Sequence, residues 1–248
     1  MYAIILAGGY AKRLWPLTLD TPKALLPIAG RPILDYVVDK LEALNPPLTR
    51  IVLSTNLRFQ PQFAKWLDTC PHGNILLLPD ASESEAQKPG AIKAMANIVA
   101  FANEDDVLVI AGDGMFQDDL TGMMQTFKRR KAAVAALYPV RSVEEAKRCG
   151  IASADKTGKI VAFTEKPAEP TSLTACGAVY MFPRGIRKLL AEYMAEGLQT
   201  DQPGRFVEWL YRKEPVYGYT LKDYLWDIGT HEAYKECNQH FLSGNCAV

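Results

Sequence analysis

Residues 1–32 read MYAIILAGGYAKRLWPLTLDTPKALLPIAGRP. Residues 2–7 form an unbroken apolar run, the pattern of a strand buried on both faces. The run stops at Gly8-Gly9. A connection of about two dozen residues then leads to a helical pattern near Ile33, and so long a loop inside a compact α/β unit is generally functional. It carries Arg13 and Lys23, with prolines at 16, 22, 27 and 32. Glycines let a backbone approach a ligand, prolines stiffen the chain, and spaced cations suit a polyphosphate. The familiar phosphate loops are absent, because neither GxxxxGK[ST] nor GxGxxG follows the strand.

Beyond the loop, strand and helix patterns alternate. Residues 33–44 place Ile33, Leu34, Val37, Val38, Leu41 and Leu44 on one helical stripe. Strands are expected at 50–55, 74–78, 106–111 and 132–138, and helices at 59–67, 91–101 and 120–131. This order predicts an α/β fold with a doubly wound, mostly parallel, Rossmann-like sheet. Ligands of such sheets lie beyond the carboxyl ends of the strands. After residue 140 the pattern changes. A hairpin is expected over 151–164, a strand at 175–182, helices at 184–196 and 205–212, strands at 216–221 and 224–228, and a closing helix at 230–242. We read 1–248 as a single domain made of two halves, 1–140 and 141–248. No hexapeptide β-helix repeat is present.

Composition narrows the function. Lys+Arg and Asp+Glu each total 28 in 248 residues, so bulk charge offers nothing to nucleic acid or an anionic membrane. An anionic substrate must be held by a few local cations. The five cysteines, 70, 149, 176, 237 and 246, are scattered and odd in number, which suits reduced thiols in the cytoplasm. Cys237, His240 and Cys246 fit no common zinc spacing and lack a fourth ligand. Neither a leader nor a membrane span is expected.

Three further clusters carry chemistry. Ala111-Gly112-Asp113-Gly114 closes an apolar strand, a place where a carboxylate can meet Mg²⁺ through hard oxygen ligands; Asp118 and Asp119, just beyond, read as an N-cap or first-turn charge for the next helix. Thr164-Glu165-Lys166-Pro167 pairs an acceptor for vicinal hydroxyls with a cation for a phosphate. Trp226-Asp227-Ile228-Gly229-Thr230 offers a second carboxylate and a helix cap.

Taken together these stretches resemble the sugar-phosphate nucleotidyltransferases, whose opening reads LAGGxGxRLxPLTxxxPKxLxPVxGxP. The matching residues are Leu6-Ala7-Gly8-Gly9, Arg13-Leu14, Pro16-Leu17-Thr18, Pro22-Lys23, Leu26-Pro27 and Gly30-Arg31-Pro32, with Ala11 in place of a usual glycine. Asp113 matches the family's GD aspartate, Glu165-Lys166-Pro167 its EKP motif, and residues 226–230 its WxDIGT ending. Cys149-Gly150-Ile151 is similar to YG(V/I), and Cys176 to Tyr180 to the strand that walls the sugar pocket. Gln87-Lys88-Pro89-Gly90-Ala91-Ile92 departs most from the pattern.

The resemblance makes 1–140 the nucleotide-binding half and 141–248 a C-terminal sugar-side lobe, and implies that Leu6, Ala7, Gly8, Gly9, Arg13, Gln87 and Gly90 bind an NTP. It places Gly150, Glu165, Lys166, Gly177 and Tyr180 around a sugar 1-phosphate. Asp113 and Asp227 would hold Mg²⁺, with Arg13, Lys23, Asp113 and Lys166 catalytic. The implied reaction joins the sugar phosphate to the α-phosphorus and releases pyrophosphate, with a neutral hexose of glucose or mannose type and thymidine or guanosine as base. A catalytically silent nucleotide-sugar-binding subunit and a dinucleotide-dependent dehydrogenase are the rival readings. The first is opposed by the intact Asp113, Asp227, Arg13 and Lys23, the second by the missing GxGxxG. Base, sugar and assembly into a homo-oligomer stay open.

Overall fold

Tyr2–Leu6 forms the strand its composition demands, with Ala3, Ile4 and Ile5 fully buried. It pairs in parallel with Ile51–Asn56, which pairs in parallel with Ile75–Asp80. The computed structural model describes residues 1–101 and 105–243; Cys246 lies outside them. The chain forms two compact units from separated stretches. A middle unit holds Gly90–Val109, Leu120–Tyr224 and Met1, and an N-terminal unit holds Tyr2–Pro89, Ile110–Asp119 and the residues from Leu225 on. The strand Val107–Ala111 runs across that division. Beyond Met1, unit edges fall at 89/90, 109/110, 119/120 and 224/225.

In the N-terminal unit the helix Ile33–Glu42 buries the expected stripe, Ile33, Leu34, Val37, Val38 and Leu41. Gln60–Thr69 follows with proline in its first turn, where the missing N–H costs nothing. Beyond the Val107–Ala111 strand the Gly112 N–H donates to the Leu6 carbonyl at 2.9 Å. Two-residue strands Gly114–Met115 and Trp226–Asp227 pair antiparallel, with Asp227 opposite Gly114. The helix His231–Leu242 is capped by Thr230, whose hydroxyl accepts from the Ala233 N–H, as its position before the helix predicts.

The middle unit is mixed. Gly150–Ala154 and Ile160–Glu165 form the predicted hairpin. Thr174–Phe182 runs antiparallel to both Gly150–Ala154 and Ala133–Pro139, and Val216–Thr220 lies parallel to the latter. Phe182, Tyr193, Phe206 and Trp209 form an aromatic cluster beneath the helices Ile186–Ala195 and Pro203–Leu210. Rings met edge-on or offset at these separations add to the stabilisation from buried area.

The α/β class holds, with parallel core strands and flanking helices. Some local detail differs from expectation. The helix expected over 120–131 is Thr121–Arg130, with Leu120 at its N-cap position directly after Asp118 and Asp119. The strand expected over 224–228 shrinks to Trp226–Asp227. A one-turn helix, Val143–Ala146, is too short to show a period. Among the described residues no helix is long and apolar enough to cross a membrane.

Candidate functional site

The opening loop is fixed from both ends. Its Gly8 carbonyl accepts from the Asn56 side-chain amide at 3.1 Å, while Asn56 Oδ1 accepts from the Phe59 N–H at 2.9 Å. Asn56 is fully buried at the end of its strand, and no motif had singled it out. Gly9 is exposed, and a Cβ there would meet nothing within 4 Å. Ala11 is left-handed, at φ 45° and ψ 43°. The residue that replaces the usual glycine therefore keeps a backbone that glycine prefers, at a cost of about 1–2 kcal/mol for a side chain. Buried Thr18 holds that turn by donating to the Ala11 carbonyl at 2.8 Å.

Lys23 lies in a short 3-10 turn after Pro22. Its ammonium is 2.9 Å from Asp113 Oδ2 and 3.9 Å from Asp227 Oδ1. The pairing of Trp226–Asp227 with Gly114–Met115 is what brings the two aspartates, distant in sequence, to one ammonium. Arg13 is exposed, and a Cβ on Gly229 would stand 3.4 Å from its Nη2 and 3.7 Å from Asp227 Oδ2. Arg13, Lys23, Asp113 and Asp227 thus share one end of the N-terminal unit.

The donor set fits a divalent cation. Two carboxylates flank one position already taken by a positive charge, and both keep exposed edges, 39% for Asp113 and 56% for Asp227. Among the described residues no group of three or more His, Cys, Asp or Glu side chains is gathered for a metal. Two carboxylates suffice for Mg²⁺, which retains several waters and takes further oxygens from phosphates. Cys237 is a buried free thiol, and His240 Nε2 lies 3.3 Å from Gln117 Nε2.

Glu85 accepts from Lys12 at 3.1 Å and from Lys88 at 3.4 Å, and Lys12 foremost holds its carboxyl below the usual range. Lys12 went unread in the sequence beside Arg13. Gln87 is exposed, and its amide oxygen accepts from the Glu83 N–H and the Ser84 hydroxyl. Gly90 belongs to the middle unit, where it is buried at φ 86°. A Cβ there would lie 2.5 Å from the Thr200 carbonyl oxygen, which also accepts from the Ile92 N–H.

In the middle unit Gly150 stands opposite both Glu165 and Cys176 in the strand register. Glu165 is buried, only 8% exposed, and its carboxylate makes no hydrogen bond to another described residue. Lys166 is exposed and left-handed at φ 50°, with its N–H donating to the Cys149 carbonyl at 3.0 Å. Strain of this kind in a residue before proline costs about 1–3 kcal/mol and concentrates at functional sites. Gly177 and Tyr180 are buried in Thr174–Phe182, and burial pushes the Tyr180 phenol well up, so it stays neutral. The space a Cβ would fill at Gly150 is taken by Glu165 Oε2 and the Phe163 ring, both 2.7 Å away.

Burial also raises the Glu165 carboxyl above the usual range, while Lys166 and Arg205 pull the other way. Its folded-state pKa then exceeds its unfolded one. At low pH the group is neutral in both states; as pH rises through the ordinary carboxylate range the unfolded chain ionises first and stability falls. Glu165→Gln is expected to raise Tm at about pH 7. The gain should shrink toward about pH 4, near the ordinary value of a free glutamate. Thermal melts at both pH values check this, and an equal shift at each would refute a buried charge.

The family model for nucleotidyl transferases matches residues 2–244. Solved structures align over almost the whole chain. One is a Bacillus anthracis protein assigned as a glucose-1-phosphate thymidylyltransferase, in complex with a sucrose. It has a TM-score of 0.83 at 24% identity, over 98% of this chain and 96% of that one. A UDP-glucose pyrophosphorylase complexed with UDP-glucose aligns at TM-score 0.81 and 20% identity, over 98% of each chain. An apo UDP-glucose pyrophosphorylase aligns at 0.78 and 19%, also over 98% of each. At these identities the structural likenesses speak for the fold, which agrees with the α/β architecture described above. The sequence match is what assigns the lineage, and the chain belongs to the nucleotidyl transferase family.

Proposed function

We propose that this nucleotidyltransferase moves a nucleotidyl group from an NTP to a hexose 1-phosphate in a Mg²⁺-dependent reaction, releasing pyrophosphate and an NDP-sugar. The observation that carries this reading is the Lys23 ammonium bracketed by Asp113 and Asp227. Phosphoryl and nucleotidyl transfer is chiefly positioning and charge stabilisation, and this is a pre-arranged charge cluster. Asp113 and Asp227 would hold the metal, which when bound supplies charge neutralisation to the reacting phosphate.

The chain's own cations divide the remaining work. Lys23 supports the α-phosphate, and Arg13 supports the departing β- and γ-phosphates. Leu6, Ala7, Gly8 and Gly9 form the loop wall for the nucleotide, with Gln87 and Gly90 toward base and ribose. Lys166 takes the sugar phosphate. Glu165, Gly150, Gly177 and Tyr180 build the hexose pocket, where a buried acceptor without a protein partner suits a hydroxyl donor. No general base is needed, because the attacking phosphate oxygen is already anionic at neutral pH. The best fit is a glucose-1-phosphate thymidylyltransferase or a mannose-1-phosphate guanylyltransferase. We read the whole chain as one such domain, active in the cytoplasm.

Pyrophosphate release from the purified protein with Mg²⁺, crossing four NTPs with neutral hexose 1-phosphates and a uronic acid 1-phosphate, tests this. Turnover of a neutral hexose 1-phosphate is expected. Nucleotide-sugar binding without turnover of any pair would favour the silent subunit instead.

A further inference from the structure

The first turn of the helix Pro203–Leu210 packs against Glu165. A Cβ built on Gly204 would stand 1.9 Å from Glu165 Oε2, 2.7 Å from its Cδ and 3.4 Å from Oε1. The Cβ position of Gly150, on a different element, is 2.7 Å from the same Oε2. One carboxylate oxygen is therefore seated between two residues that have no side chain.

Backbone conformation does not explain Gly204. Its φ lies outside the left-handed region, and in a helix glycine is worse than alanine by up to about 1 kcal/mol. What the position requires is the absence of a methyl group. The same turn carries Gln202 Oε1 and Arg205 Nε, each buried without a hydrogen-bond partner among the described residues. Arg205 Nη1 pairs with Glu208 at 3.0 Å, and the Arg205 charge acts on Glu165.

We propose that Gly204 is a positioning residue for the hexose: its missing side chain admits the Glu165 carboxylate, and the first turn of Pro203–Leu210 thereby sets sugar selectivity. The proposal rests on the reading of Glu165 as the acceptor of sugar hydroxyls. The obstacle a methyl group would meet is the far end of a flexible side chain, not backbone. The fold can absorb it, and the cost falls on where the carboxylate stands. Misplacing a binding group by about 1 Å can cost up to about 100-fold in rate.

Gly204→Ala is expected to lower kcat/KM for hexose 1-phosphate by about tenfold or more while leaving KM for the NTP within about twofold, with no fall in Tm. Discrimination against a deoxyhexose 1-phosphate should weaken with it, since rejection depends on a buried group left unpaired. The substitution should act through Glu165. In a Glu165→Ala background, Gly204→Ala is expected to change kcat/KM by less than about twofold, the non-additivity of residues in contact. Unaltered hexose 1-phosphate kinetics in Gly204→Ala, an equal loss in both backgrounds, or an unfolded Gly204→Ala protein would each overturn the proposal. Wild-type protein that turns over no hexose 1-phosphate would instead refute the functional reading beneath it.

Discussion

Asp113→Asn and Asp227→Asn will each lower turnover by about 100-fold or more, with the protein still folded. Loss of one preorganised charge at a reacting phosphate typically has that size. Asparagine keeps the shape of either side chain and removes only its charge. Both carboxylates are partly exposed, so neither supports the core. In Asp113→Asn the Lys23 ammonium loses its 2.9 Å partner and leans on Asp227 alone. Initial rates of pyrophosphate release with Mg²⁺, alongside a thermal melt, provide the measurement. Near-normal rates in both variants would remove the metal assignment.

Lys166→Ala and Arg13→Ala should separate the two substrates. The first is expected to raise KM for hexose 1-phosphate by about tenfold or more with little effect on the NTP. The second is expected to raise KM for the NTP by a similar factor and to weaken inhibition by pyrophosphate. Charge-assisted contacts to phosphate are worth about 1.5–3 kcal/mol, or roughly 10- to 150-fold. Lys166 is exposed in a strained strand-to-proline junction of the middle unit, and Arg13 is exposed in the opening loop. Alanine at 166 retains a side-chain Cβ, so the backbone cost is unchanged and the lost cation is what the assay reads. Two variants that shift both KM values alike would argue against this division.

Much of this was legible in residue order. The apolar run at 2–7, the stripe of 33–44 and the hairpin over 151–164 have periods long enough to declare themselves, and each stands where expected. The opening loop and its cations were legible through their motif. The pairing that delivers Asp227 to Asp113 was not, because two-residue strands carry no period. Leu120 stands at the N-cap position, just after Asp118 and Asp119, because a helix end read from sequence is good only to within one or two residues. The helix expected at 205–212 begins earlier, at Pro203, because proline is favoured at a first helical position. Nothing in sequence marks that glycine as the seat of a glutamate that precedes it by the strand Thr174–Phe182 and the helix Ile186–Ala195.

The discontinuous layout of the two units constrains how such a protein can change. The chain passes from one unit to the other at 89/90, 109/110, 119/120 and 224/225. A cut at residue 140 gives two fragments, neither holding a whole unit: 1–140 lacks the strand Trp226–Asp227, and 141–248 lacks Ala133–Pro139, with which Thr174–Phe182 and Val216–Thr220 pair. Each unit thus draws on chain from both sides of such a cut and forms only from the intact sequence. On the proposed reading, replacement of a small residue such as Gly150 or Gly204 would change the hexose pocket while leaving both units whole.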